Sequence, residues 1–326
     1  MQTIALVCCY FGKFPNYFNL YLRSCAANPG VRWLIFTDQA PEGVPENVTI
    51  IPTSLAAVHR LCRETIDPDI ILPQPYKICD YKPLYGTIFA DYLKDYEFWG
   101  YCDFDMIFGD LGAFFTPELL AKYDKILTCG HLSVYRNTPE VNARFRCPGA
   151  KYPLREVLTH DKIYAFDEWH GIFGIYRANG FPMYDEVPYA ALTGSRKRFT
   201  MHRRTSSRYK NPPPDYPHQV FFWENGKLQR AYLDAGGQVR CDSFLYIHFF
   251  RRRFPDPPEC DAFYCTPSGF VPKTPGELPS PREIRKLNPY YGRLYEWIES
   301  KIRRKMMKHE DHRRFVRRRD WKPAGN

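Results

Sequence analysis

The residues best suited to chemistry lie in one stretch, 96–111, which reads YEFWGYCDFDMIFGDL. An aromatic run, Phe98, Trp99 and Tyr101, leads into three carboxylates, Asp103, Asp105 and Asp110. The run reads as a buried strand closed by Gly109. An unpaired carboxylate is costly to bury, so a buried strand ending in Asp-Phe-Asp needs a reason. Residues i and i+2 of an extended chain face the same way, so Asp103 and Asp105 are expected to point together. Two convergent carboxylates make a hard, oxygen-rich site for Mg²⁺ or Mn²⁺, a site often shared with phosphates. A strand-end turn carrying two solvated aspartates explains the tripeptide equally well. His248, at the end of YIHFF, is a candidate third ligand and equally a core histidine. Asp110, beyond Gly109, reads as a cap or turn residue.

The elements that must position these groups follow a regular order. Residues 4–9 form a continuous apolar run, as in a strand buried on both faces. Residues 16–27 have helical apolar spacing and stop at Asn28-Pro29-Gly30. Strands are expected at 32–36 and 47–51, and helices at 55–64 and 81–93. Further strands are expected at 125–128, 219–223, 227–233 and 244–250, with a helix at 140–145. The stretch 163–175 carries Asp167 and Glu168, then Trp169, His170 and Gly171, then an apolar strand. Residues 194–218 read as a basic, proline-bearing loop. Alternation of strands and helices predicts an α/β fold: a mixed, mainly parallel sheet flanked by helices. Ligands bind such sheets beyond the carboxyl ends of the strands, where Tyr10, Asp38 and Asp103 all stand.

Composition narrows the classes. The 326 residues are 44% hydrophobic and 17% aromatic, enough for a sizeable core. No apolar run is long enough to span a membrane. The start, MQTIALVCCYFGKF, lacks a basic region before its apolar run and reads as a first strand, not a signal peptide. The 11 cysteines, odd in number and scattered, suit reduced thiols in a cytoplasmic protein, and their spacing matches no zinc pattern. Residues 282–326 hold 15 of the 46 Lys and Arg but 6 of the 36 Asp and Glu, which places +9 of the net +10 in the tail. The rest is near neutral, which argues against a nucleic-acid groove.

The expected organisation is therefore a main domain at 1–254, a proline-rich linker at 255–281 and a basic amphipathic helical tail at 282–326. In the tail, Leu287, Tyr291, Leu294, Ile298, Ile302 and Met306 form one apolar stripe of a helix expected over 287–321. Arg293, Lys301, Arg303, Arg304, Lys305 and Lys308 occupy the other faces. Such a helix either lies on an anionic membrane surface or docks on the main domain.

The chain has no Gly-x-x-x-x-Gly-Lys-Ser/Thr loop, no Gly-x-Gly-x-x-Gly after a strand and no Gly-x-Ser-x-Gly elbow. Paired carboxylates remain compatible with a metal-dependent nucleotidyltransferase or phosphohydrolase. A non-enzymatic adaptor led by the basic helix leaves the carboxylates unexplained.

The segments IALVCCYFGKFPNYFNLYLRSC, WLIFTD, CDYKPLYG, FWGYCDFDMIFGDL, GHLSVYRN, AFDEWHG and YIHFFR, taken in order, resemble bacterial glycosyltransferases of polysaccharide synthesis. More broadly they resemble the GT-A fold, Rossmann-like, with its Asp-x-Asp motif, over residues 1–253. The resemblance implies a nucleotide-sugar donor, UDP-linked, and a saccharide or lipid-linked acceptor at the cytoplasmic face of the membrane. It implies that Asp105 ligates Mn²⁺ or Mg²⁺, with Asp103 nearer the donor ribose or sugar and His248 completing the metal site. It places Tyr10 and Phe11 at the base and Asp38 on a uracil N–H or a ribose hydroxyl. Lys82 would meet donor phosphate and Asp80 a sugar hydroxyl; both also suit a surface loop. Asp167, with Glu168, is the candidate base that an inverting transfer requires. Trp169, His170 and His131 are candidates for the acceptor side.

Overall fold

The computed structural model describes residues 3–192, 198–199, 201, 211–250 and 252–292, with residues 295, 298, 301 and 302. In chain order the strands are Ile4–Tyr10 (β1), Val31–Thr37 (β2), Val48–Pro52 (β3), Phe98–Cys102 (β4), Met106–Phe108 (β5), Lys125–Cys129 (β6), Leu132–Arg136 (β7) and Met183–Tyr184 (β8). They continue with Ala190–Ala191 (β9), Gln219–Glu224 (β10), Lys227–Leu233 (β11), Val239–Phe244 (β12), Tyr246–His248 (β13), Ala262–Thr266 (β14) and Gly269–Pro272 (β15).

The central sheet has the order β3-β2-β1-β4-β7-β6-β8 among the described residues. Strands β1 to β4 run parallel, β7 is antiparallel between β4 and β6, and β8 is parallel to β6. The expected α/β architecture, a mainly parallel sheet flanked by helices, is thus present. Strand β1 shows why its sequence reads as one apolar run. Ile4, Leu6 and Cys8 enter a core on one face with Trp33, Ile35 and Phe98, while Ala5 and Val7 enter another with Leu34, Phe36 and Tyr101. Helix Phe18–Ala26 covers the first face through Phe18, Tyr21, Leu22 and Cys25. Helix Leu55–Thr65, capped by the Ser54 side chain, covers the second through Val58 and Cys62. Gly100 lets β4 and β7 close up, since a Cβ there would lie 2.4 Å from the Ser133 carbonyl oxygen.

Two smaller sheets follow among the described residues: β5-β13-β9, and an antiparallel sheet of order β12-β11-β10-β14-β15. The second corrects the expected linker at 255–281. Its prolines flank a hairpin, β14 and β15, which adds to β10. Phe263 and Cys265 enter one core and Tyr264 another, so the short strand is buried on both faces.

Other expectations change for local reasons. The apolar strand expected before Ile175 is instead the helix Ile172–Ala178, with Ile172, Ile175 and Tyr176 at helical spacing in the core. The single helix expected over 81–93 is a 3₁₀ helix, Pro75–Leu84, followed by the turns Tyr85–Ile88 and Ala90–Leu93. Pro83 lacks the N–H that a continuous α-helix would use. In the tail, helix Pro281–Leu287 opens with a Ser280/Glu283 capping box and ends where the long helix was expected to start. Asn288 follows, and its buried amide accepts from Phe199 N at 2.7 Å and donates to the Phe199 and Gln219 carbonyls. Pro289 comes next. Of the apolar stripe, Leu287 packs beside Ile284, whereas Tyr291, Ile298 and Ile302 are exposed. Leu294 and residues 303–326, like most of the loop expected at 194–218, lie outside the described residues. No helix among the described residues is long and apolar enough to cross a membrane.

Candidate active site

Asp103 follows β4 directly, and Asp105 precedes β5. The link between them is a bend, not the extended strand that alternation assumed. Phe104 holds the bend. Its buried ring packs edge-on against Tyr10, Phe14 and Phe18, with centroids 5.1–5.5 Å apart. Across this bend the two carboxylates still converge.

His248 reaches them through strand register. It ends β13, opposite Met106 of β5, and Phe249 N donates to the Asp105 carbonyl at 2.8 Å. Its Nε2 therefore stands 3.3 Å from Asp105 Oδ1. One ligand atom from each of Asp103, Asp105 and His248 lies within 4.8 Å of the others. Two carboxylates and an imidazole nitrogen, all partly or wholly buried, fit a hard divalent cation such as Mn²⁺ or Mg²⁺.

Lys82 stands behind this group. Its ammonium donates to Asp103 Oδ1 at 2.6 Å and to the Gly130 carbonyl at 2.7 Å, and lies 3.3 Å from Asp167 Oδ2. Burial works against its charge, yet Asp103 and Asp167 hold its pKa well above the usual lysine value. One cation between two carboxylates neutralises one of them. Asp167, buried and also facing the charges of Glu168 and Asp103, is pushed up to about 8 despite Lys82. Glu168, half-buried, accepts from Gly130 N at 3.0 Å. Gly130 leaves room for both acids, since a Cβ there would sit 2.3 Å from Asp167 Oδ2.

The loop bearing these acids is pinned by Asp80. Its carboxylate accepts from Tyr164 N and Phe166 N at 3.0 Å each, and from Lys77 Nζ at 2.8 Å. Lys77 also donates to the Val157 and Lys162 carbonyls. Both side chains are fully buried. Asp80 therefore does not face a sugar hydroxyl; it shapes the acidic loop from inside. Neither Asp80 nor Lys82 belongs to a surface loop, and Lys82 meets carboxylates in the position where donor phosphate was expected.

The other expected site residues divide. Tyr10 stacks on Phe14 at 5.2 Å, and its hydroxyl pKa is raised by burial and by the charges of Asp105 and Asp103. Phe11 packs against the core on the opposite face of the sheet. Asp38, exposed beyond β2, accepts from Gly12 N at 3.0 Å, which lowers its pKa. Trp169 is half-buried with its ring 3.9 Å from that of Phe173, and His170 is exposed. His131 is buried, 4% exposed, with its ring against His248. Sequence reasoning missed Lys77, Gly130 and Tyr246. Only Gly130, placed directly after a strand, carried a local signal.

The model of a family of unknown function, DUF6625, matches residues 6–274. None of the curated proteins matches the sequence. Among solved structures, the chain is similar to the galactosyltransferase LgtC, determined in complex with donor and acceptor sugar analogs. The identity is 11%, over 76% of this chain and 87% of that one, with a TM-score of 0.41. A likeness this loose says nothing of this chain's reaction.

Proposed function

The chain belongs to the family DUF6625, and we propose that it is a metal-dependent glycosyltransferase. It would move a sugar from a UDP-linked nucleotide donor to a saccharide or lipid-linked oligosaccharide acceptor in cell-surface polysaccharide synthesis. The observation that carries the proposal is the convergence of Asp103, Asp105 and His248 beyond the carboxyl end of β4. That is where an open parallel sheet binds ligands. The ordered sequence resemblance supports the same reading.

Asp103, Asp105 and His248 would hold Mn²⁺ or Mg²⁺, which when bound supplies Lewis-acid stabilisation of a diphosphate leaving group. The chain's own residues do the rest. Lys82 holds one oxygen of Asp103 and leaves the other for ligation. Tyr10 and Asp38 border the strand ends where the nucleoside would lie, while Phe11 packs against the core on the other face of the sheet. Asp167 and Glu168 are the carboxylates proposed to take the acceptor proton in an inverting transfer. Asp167, pushed up to about 8, must shed its own proton before it can act as the base, so transfer should rise as pH climbs towards 8. Trp169 and His170 are proposed for the acceptor side. The +9 tail, with exposed Tyr291, Ile298 and Ile302, is proposed to hold the protein at the cytoplasmic face of an anionic membrane.

Isothermal titration with UDP, with and without Mn²⁺, tests the core of the proposal. Binding should require the metal and vanish in Asp105→Ala. Mn²⁺-dependent hydrolysis across a panel of nucleotide sugars would then identify the donor. Turnover of nucleotides lacking a sugar would favour a nucleotidyltransferase or phosphohydrolase instead.

A further inference from the structure

We infer that His131 is the positioning residue that sets the spacing of the metal centre, holding Asp103 and His248 in register with one another. The inference rests on the metal-site reading above. Asp103 follows a strand of the central sheet, whereas His248 ends a strand of the three-stranded one. Asp105 is tied to the strand of His248 directly, by the hydrogen bond from Phe249 N. Asp103 is tied to it through His131.

His131 touches both ligand-bearing segments. Its carbonyl accepts from Asp103 N at 3.0 Å. Its ring lies nearly parallel to that of His248, with centroids 4.3 Å apart and planes at 17°. Its Nδ1 is 2.8 Å from the hydroxyl of Tyr246, two residues before His248 on β13. Tyr246 is held in turn: it stacks on Tyr189 at 4.8 Å and 9°, and the Tyr189 hydroxyl is 2.9 Å from Cys129 Sγ. The turn between β6 and β7 thus grips Asp103 by its backbone and β13 by its side chains. A ligand set tolerates misplacement of only about 0.5 Å, so a contact that orients a ligating imidazole acts on affinity without touching the metal.

The test uses the full chain and Mn²⁺ alone, with binding measured by titration and the bound ion examined by pulsed electron paramagnetic resonance. The wild type should bind Mn²⁺ with a nitrogen coupling from His248. His131→Ala should weaken binding by roughly tenfold and reduce that coupling. Tyr246→Phe removes only the hydroxyl, keeps the ring on Tyr189, and should weaken binding several-fold while melting like the wild type. Affinity and nitrogen coupling unchanged in a folded His131→Ala protein would overturn the inference. If His131→Ala does not fold, unchanged Mn²⁺ affinity in Tyr246→Phe overturns it. A wild type that binds no Mn²⁺ would instead overturn the metal-site reading itself.

Discussion

The ammonium of Lys82 lies 2.6 Å from Asp103 Oδ1, so one carboxylate of the Asp-x-Asp pair is tethered by an internal cation. The same ammonium faces Asp167 at 3.3 Å. Lys82→Met would leave both acids without it. Removing one partner of a buried pair costs about 3–5 kcal/mol. Asp103 is 35% exposed and partly screened, so a loss of about 2–3 kcal/mol is expected from urea unfolding at pH 7. Wild-type stability in this variant would show that the tether contributes nothing.

Asp105→Asn keeps the shape of the site and removes one ligand charge. Mn²⁺-dependent binding of UDP should disappear and sugar transfer should fall by on the order of a hundredfold or more. The melting temperature should hold or rise slightly, because a carboxylate near Asp103 has been neutralised. Transfer assays and calorimetry on the same preparation check both halves.

Stability should depend on pH through two buried groups of opposite sign. Asp167 is raised from 3.8 to about 8, chiefly by burial. Between those values the unfolded chain releases this proton and the folded chain keeps it. The Asp167 contribution is therefore fully present below about pH 4 and is lost as pH rises towards 8. Lys125 is lowered from 10.5 to about 7 by burial. There the unfolded chain binds the extra proton, so its contribution grows as pH rises from about 7 to 10.5. Asp167→Asn should flatten the first slope and Lys125→Met the second. Unfolding free energies measured from pH 4 to 10 would reveal either slope surviving its substitution.

Gly130→Ala adds one methyl where Asp167 Oδ2 would lie 2.3 Å away. Asp167 must move, and its contact with Lys82 goes with it. Activity should fall at least tenfold, with the apparent pKa of the base shifted, and Mn²⁺ affinity should weaken too, because Lys82, which tethers Asp103, loses its second carboxylate. A pH–rate profile identical to that of the wild type would exclude the proposed role of Asp167.

The amino-acid sequence by itself determined the α/β class, the parallel strands at residues 4–9, 32–36 and 47–51, and Asp103, Asp105 and His248 as possible ligands. These are local properties: apolar runs, turn residues and donor types, each readable within a few residues. Only the tertiary structure decided that the two carboxylates flank a bend anchored by Phe104, because aromatic rings from the distant stretch 10–18 hold it. It also turned Asp80 inward onto Lys77, set Lys82 between Asp103 and Asp167, and drew His131 behind His248. The hairpin β14–β15 lay hidden among prolines for the same reason. Its first strand gains its place from pairing with β10, some forty residues earlier, and its second from pairing with the first, whereas local patterning records only that they are short and apolar. Which face a charged group takes, and which charge it meets, depends on partners distant in the chain, and burial rewards the pairing only once the fold has brought them together.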